Sequence, residues 1–448
     1  MTIRAPRSPG AAGDREILAL AVPAFFALVA EPLFLLVDSA IVGRLGTTSL
    51  AALGVASAVL AGVVGVCVFL AYATTGAVAR RLGAGDLRSA LTDGVDGLWL
   101  GLGLGVALAV ATVIAAPALV EAFGAVPAVS AQALTYLRWA AVGLPGMLVV
   151  LAATGVLRGL QDTRTPLAVA AAGAGVNAGL NAALVLGLHL GIKGSAIGTS
   201  ITQLAMATAV GTVVVRGARR HGANLRPRSA GILRSARSGG PLIVRTVALR
   251  AALLLTTWAA TRQGSAALAA HQVASNIWTL FALALDALAI AAQALTGRWL
   301  GAGDIDAVRA VTRRMLLWGV GAGVLFAAGL LLARPVLPTL FDAAPAVRSA
   351  LVAAMTVTAL AQPLAGYVFV LDGVLIGAGD GRFLALAGVV QLTLYAPVAV
   401  AVALAAPGGA AGLAWLWVAF AGWFMLTRAV FLGLRYRGAR WLVTGAVR

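Results

Sequence analysis

Long apolar runs, broken by short segments that carry arginine, dominate the chain. Runs of more than about 18 residues recur from Ile17 onwards, and each is long enough to cross a bilayer as a helix. Backbone N–H and C=O groups in lipid need partners within their own segment, so runs of this length read as helices. The pattern predicts twelve spans at about 16–43, 48–79, 88–117, 128–156, 165–187, 192–217, 239–262, 265–299, 306–333, 345–376, 382–405 and 409–435. The fold class is therefore an all-α integral membrane protein.

The polar segments between spans are not alike. Arg80, Arg81 and Arg88 follow span two, Arg158 and Arg164 follow span four, and Arg298, Arg309, Arg313 and Arg314 follow span eight. The densest group, Arg216, Arg219, Arg220, Arg226, Arg228, Arg234 and Arg237, follows span six. The odd-numbered connections hold few basic residues, such as Arg44, Arg138 and Lys193. This asymmetry puts both termini on the cytoplasmic side of the cell membrane. The basic start, with Arg4 and Arg7, precedes an apolar stretch too long for a signal-peptide core, so that stretch reads as the first span.

A repeat underlies the pattern. Leu82-Gly83-Ala84-Gly85-Asp86 recurs 218 positions later as Leu300-Gly301-Ala302-Gly303-Asp304. The same shift takes Pro23 to Pro241, Gly46 to Gly264, Pro145 to Pro363 and Leu157…Asp162 to Leu375…Asp380. One offset at separate places marks a duplication. Each half carries an even number of spans, so the halves enter the membrane in the same sense, as in parallel-repeat transporters. The expected organisation is an N-terminal six-helix lobe at 1–217, a basic cytoplasmic linker at 218–238 and a C-terminal six-helix lobe at 239–448. A central cleft between the lobes would serve alternating access.

Composition narrows the chemistry. The chain is 61% hydrophobic and only 11% charged, which excludes a soluble domain. Its 54 glycines, including Gly101, Gly103 and Gly105 in one span, suit close helix packing. The formal charge of +18 follows membrane topology and contact with lipid headgroups, so no nucleic acid is expected. Cys67 is the single cysteine, and His189, His221 and His271 are the only histidines, which argues against a disulfide, a metal cofactor or a metalloenzyme. Leu82–Asp86 lacks the Lys-Ser/Thr of a phosphate loop and reads as a tight turn, with glycine at positive φ and aspartate capping the next helix.

Charges inside a membrane are costly and so mark candidates for function. Asp38 lies late in span one, with Glu31 two turns before it on the same face. Pro23 and Pro32 interrupt that helix's hydrogen bonding, and Pro32 is the candidate bend. Asn177 and Asn181 share a face of span five, and Thr199 lies in span six. A carboxylate among amide and hydroxyl oxygens suits a proton network or a Na⁺ site; interhelical hydrogen bonding would use the same residues. In the second half, Asp286, Gln293 and Asp372 form a possible second polar site, and Arg245 or Arg250 is expected to neutralise one of these acids. No nucleophile–base pair appears, so the protein is not expected to be an enzyme.

Several motifs carry a resemblance. Leu157-Arg158-Gly159-Leu160-Gln161-Asp162-Thr163-Arg164-Thr165-Pro166 and Ala269-Ala270-His271-Gln272-Val273-Ala274 resemble multidrug and toxic compound extrusion (MATE) transporters of the DNA-damage-inducible F (DinF)-like branch. Asp286 to Leu295 followed by the Leu300–Asp304 turn, and Asp372 to Asp380, are similar to the same branch. The resemblance covers nearly the whole chain. It implies a twelve-helix, two-lobe exporter of amphipathic organic compounds or drugs, driven by H⁺ or Na⁺ antiport, with no other cofactor, working as a monomer in the inner membrane. Asp38, Asn177 and Thr199 match the family's coupling positions in its first, fifth and sixth helices. Asn181 stands where some members carry an aspartate. The alternatives are a flippase for a lipid-linked or polysaccharide precursor and, from another class, a membrane-embedded enzyme.

Overall fold

The computed structural model describes residues 13–337 and 344–446. Arg4 and Arg7, which mark the basic start of the chain, lie outside them. Among the described residues there are twelve helices long and apolar enough to cross a membrane. They are α1 (Asp14–Gly43), α2 (Thr47–Gly83), α3 (Leu87–Glu121), α4 (Pro127–Gly159), α5 (Arg164–Gly187), α6 (Gly191–Arg220), α7 (Ser229–Arg262), α8 (Ser265–Gly301), α9 (Ile305–Ala333), α10 (Pro345–Gly377), α11 (Gly381–Ala405) and α12 (Gly409–Arg437). No strand occurs among the described residues. α1 runs unbroken through both Pro23 and Pro32. Each proline removes one backbone bond without ending the helix.

Two compact units result. One is built from Val22–Gly239 and the other from Gly240–Ala446, with the start of α1 up to Ala21 grouped with the second. Within that second unit Asp14 pairs with Arg314 and accepts from the Trp318 indole at 2.6 Å, and Glu16 pairs with Arg298 at 3.0 Å. α7 begins at Ser229, inside the segment expected as linker. The remaining short connection docks on α3 in the first unit. Arg228 pairs with Asp96 at 2.5 Å and Asp93 at 3.1 Å, and the Trp99 indole donates to the Leu225 carbonyl.

The duplication is visible in the backbone. Gly46 and Gly264 both adopt positive φ, at 109° and 103°, as do Gly85 and Gly303, at 79° and 78°. Only glycine takes such values cheaply, so the Leu-Gly-Ala-Gly-Asp turns need it. Each turn hands over to a cap: Asp86 accepts from the Ser89 N–H at 2.9 Å and Asp304 from the Ala307 N–H at 2.8 Å. Helix contacts repeat too. A Cβ on Gly105 of α3 would meet the Pro145 backbone of α4 at 2.5 Å, and one on Gly323 of α9 would meet the Pro363 backbone of α10 at 2.6 Å. In each unit, then, a glycine lets one helix lie against the proline turn of the next.

Candidate coupling site

α1 presents Asp38 inwards. Asp38 is 1% exposed and Val42, one turn on, is fully buried, while Leu33, Leu35, Leu36 and Val37 face outwards. Val42 packs in a core with Tyr136 and Leu137 of α4 and Ala196 of α6, which fixes the rotation of the helix. α5 has the reverse of a soluble helix's polarity. Its buried face is Pro166, Gly173, Asn177 and Asn181, a stripe at helical spacing that carries its polar groups. α6 buries Ser195, Thr199 and Thr202.

These faces converge. The Asn181 amide donates to the Asp38 carboxylate and, at 3.1 Å, to the Asn177 side-chain oxygen. Asn177 in turn donates to the Thr199 hydroxyl at 3.3 Å. The hydroxyls of Thr199 and Ser195 lie beside Asp38, and Tyr136 completes the surround. One buried oxygen here, Asn181 Oδ1, has no hydrogen-bond partner. Gly198 makes this possible, since a Cβ there would collide with Asn181 Oδ1. Four residues expected from the sequence, Asp38, Asn177, Asn181 and Thr199, thus form one chain of hydrogen bonds. Glu31 stands apart, exposed and a rise of about 10 Å along α1 from Asp38. Ser195 and Tyr136 escaped the sequence reading. Ser195 lies one turn before Thr199, and that spacing was the available signal.

The second-unit candidates arrange differently. Asp372 of α10 is buried between two arginines: Arg245 of α7 reaches it at 2.5 Å and Arg428 of α12 also contacts it. Arg245 was expected as a neutraliser and Arg428 was not; Arg250 is exposed and forms no ion pair among the described residues. Asp286 acts on Arg428 through its charge. Gln293 is buried on α8, with its backbone under Gly377 of α10. The positions that repeat Asp38, Asn177 and Thr199 are Thr256, Tyr395 and Trp417, and none of them carries a charge.

Known proteins agree with this architecture. The family model MatE matches twice, over residues 23–183 and 241–401, two ranges separated by the same 218 positions. Protein DETOXIFICATION 44, chloroplastic, of Arabidopsis thaliana is 32% identical over 386 residues, covering 83% of this chain and 73% of its own. DNA damage-inducible protein F of Escherichia coli is 29% identical over 315 residues, with 67% of this chain and 68% of its own covered. The Vibrio cholerae MATE transporter VcmN, solved in a bent form, shares the fold with a TM-score of 0.85 at 22% identity, over 96% of both chains. With both halves matched and twelve membrane helices in place, the chain belongs to the MatE family of multi-pass membrane transporters, the multidrug and toxic compound extrusion proteins.

Proposed function

We propose that the protein is a secondary antiporter that exports amphipathic organic compounds, working as a monomer in the cytoplasmic membrane with both termini inside. Uptake of one cation, H⁺ or Na⁺, at Asp38 drives the export. The observation that carries this reading is a buried carboxylate among amide and hydroxyl groups, with one buried oxygen beside it, Asn181 Oδ1, left without a partner. A buried charge without a cationic partner is costly, so the site has a strong demand for a proton or a small cation. The donor set fits either ion. Carboxylate, amide and hydroxyl oxygens suit Na⁺, and the carboxylate alone suffices for H⁺.

Binding of the cation cancels the charge that the Asn181 amide stabilises. That loosens the tie between α5 and α1 and frees α1 to bend near Pro32, where a backbone bond is already missing. A conformational equilibrium moves only by as much as the ion discriminates between the states, and this switch of one buried charge supplies the discrimination. The flippase alternative gains no cationic group from Arg245, which is committed to Asp372.

Reconstitution tests the reading. Purified protein in liposomes should dissipate an imposed ΔpH or ΔpNa when a cationic dye is added, and the gradient that responds identifies the ion. Asp38→Asn should bind dye yet lose gradient-driven movement. Unchanged coupled transport by that variant would sink the assignment.

A further inference from the structure

α7 carries an exposed charge at the depth where a bilayer tolerates it least. Arg250 precedes Arg262, the last residue of the helix, by a rise of about 18 Å. The hydrocarbon core is about 30 Å thick, so Arg250 stands near its middle. Arg245 and Arg428 of the same unit are held by Asp372. Arg250 is exposed instead, and it makes no ion pair or hydrogen bond with any described residue. A guanidinium turned to lipid at that depth is costly, whereas one turned to a water-filled path is not.

The face around Arg250 is polar. Thr246, Thr257 and Thr261 share its stripe of α7 at helical spacing, and the last two are exposed. Their hydroxyls already donate to carbonyls one turn back, Leu242 at 2.8 Å, Leu253 at 3.2 Å and Thr257 at 2.9 Å. Arg250 has no such outlet for its five N–H donors. On α8, which meets α7 where Thr257 contacts His271, the amides of Gln272 and Asn276 are exposed as well. Exposed amides and a free guanidinium at membrane depth mark a wetted surface of this unit. The duplicated scaffold does not call for the charge, since the position that repeats Arg250 in the first half is Pro32.

We propose that Arg250 receives a carboxylate of the transported compound, so that the protein favours amphipathic compounds that carry one. This rests on the export reading above and narrows its substrate class. A guanidinium meets a carboxylate through two parallel N–H···O bonds, which fix the orientation of the compound as well as its charge. Asp38 serves the coupling cation and Arg250 the compound, so the two charges have separate tasks.

Two dyes that differ in one group test this: a rhodamine with a free carboxylate and its methyl ester. Fluorescence anisotropy reads their binding to the full-length protein in neutral detergent. No gradient is involved, so a failure of coupling in liposomes and a failure of the carboxylate site are seen separately. The acid should bind the parent about tenfold more tightly than the ester, the worth of a hydrogen-bonded charge pair. Arg250→Gln should remove that preference by weakening the acid alone, at unchanged Tm. Arg250→Lys keeps the charge without the paired donors and should fall between the two. Asp38→Asn should keep the preference. The proposal is overturned if acid and ester bind the parent alike, if neither binds, or if Arg250→Gln weakens both equally. A phospholipid phosphate is the other source of an anionic group. Fluorescent phosphatidylglycerol in phosphatidylcholine liposomes should therefore stay in its leaflet, and movement that Arg250→Gln abolishes would overturn the proposal in favour of a lipid.

Discussion

The hydroxyls of Thr256 and Tyr395 meet at 2.5 Å in the core of the second unit, at positions that repeat those of Asp38 and Asn177 in the first. The duplicated scaffold thus sets the same pair of places in one cluster twice, once in a carboxylate site, where Asn181 links Asp38 to Asn177, and once as a pair of neutral hydroxyls in direct contact. Thr256 also donates within its own helix, to the Ala252 carbonyl at 2.8 Å. Tyr395 is wholly buried against Phe420 and Phe424.

That asymmetry predicts a stability effect without a coupling effect. Thr256→Val strands a buried phenol and should cost about 1–3 kcal/mol, whereas Tyr395→Phe should cost about 1 kcal/mol because Thr256 keeps its backbone partner. The double variant should be less destabilised than the sum of the two. Gradient-driven transport should be unchanged in all three, because no charge has moved. Thermal unfolding and a liposome assay check both halves; a loss of coupling would show that the second unit also takes part.

Gly198 predicts the opposite pattern. A methyl group there would collide with Asn181 Oδ1 and push the amide away from Asp38. Alanine favours a helix interior by about 1 kcal/mol over glycine, so Gly198→Ala should stay folded. Losing one hydrogen bond to the charged carboxylate destabilises the cation-free state, which corresponds to about a tenfold or greater gain in apparent cation affinity. Coupled transport measured against cation concentration should shift by that factor at unchanged Tm.

The turn caps predict a pH dependence. The Ser89 hydroxyl and backbone N–H donate to Asp86 and, with the charges of Arg81 and Arg88, hold its carboxyl below its ordinary value of 3.8. A group lowered on folding contributes stability that is present above its unfolded value and is lost as pH falls through the folded value. Asp86→Asn keeps a cap but not the charge. Its Tm should lie below the parent's at about pH 6 and converge on it as the pH drops below about 4. A constant gap down to about pH 3 would remove the electrostatic part of the cap.

The parts of this molecule that were legible in sequence are those written in local chemistry. Span positions follow from apolar length, and the turn at Gly85 and Asp86 follows from residue type, as its φ of 79° and its cap to Ser89 bear out. The repeat survives even where the residue differs. Gln161 takes a φ of 63° at the place where the second half uses Gly379, at 70°. What could not be read was partner choice across the chain. The Asn181–Asp38 contact joins residues 143 positions apart and the Arg428–Asp372 contact joins residues 56 apart. Helix rotation decides such pairs, and packing against neighbours sets rotation, as Val42 does for Asp38. A single arginine inside the last apolar run, Arg428, was nonetheless a signal by its cost alone.

Arg428 also supports the last prediction. Asp372 is the carboxylate that makes the buried guanidinium of Arg428 and the half-buried one of Arg245 tolerable within one cluster. Asp372→Ala should therefore destabilise the protein by about 3–5 kcal/mol, the usual cost of leaving a buried charge without its partner. Replacing the whole cluster, as Asp372→Leu with Arg245→Met and Arg428→Met, should recover much of that loss, because apolar side chains of similar size need no counter-charge. Unfolding in detergent measures both. Recovery in the triple variant would identify Asp372 as a neutraliser whose worth lies in the charges beside it. A triple variant as unstable as Asp372→Ala would instead show that α7, α10 and α12 depend on these ion pairs to pack.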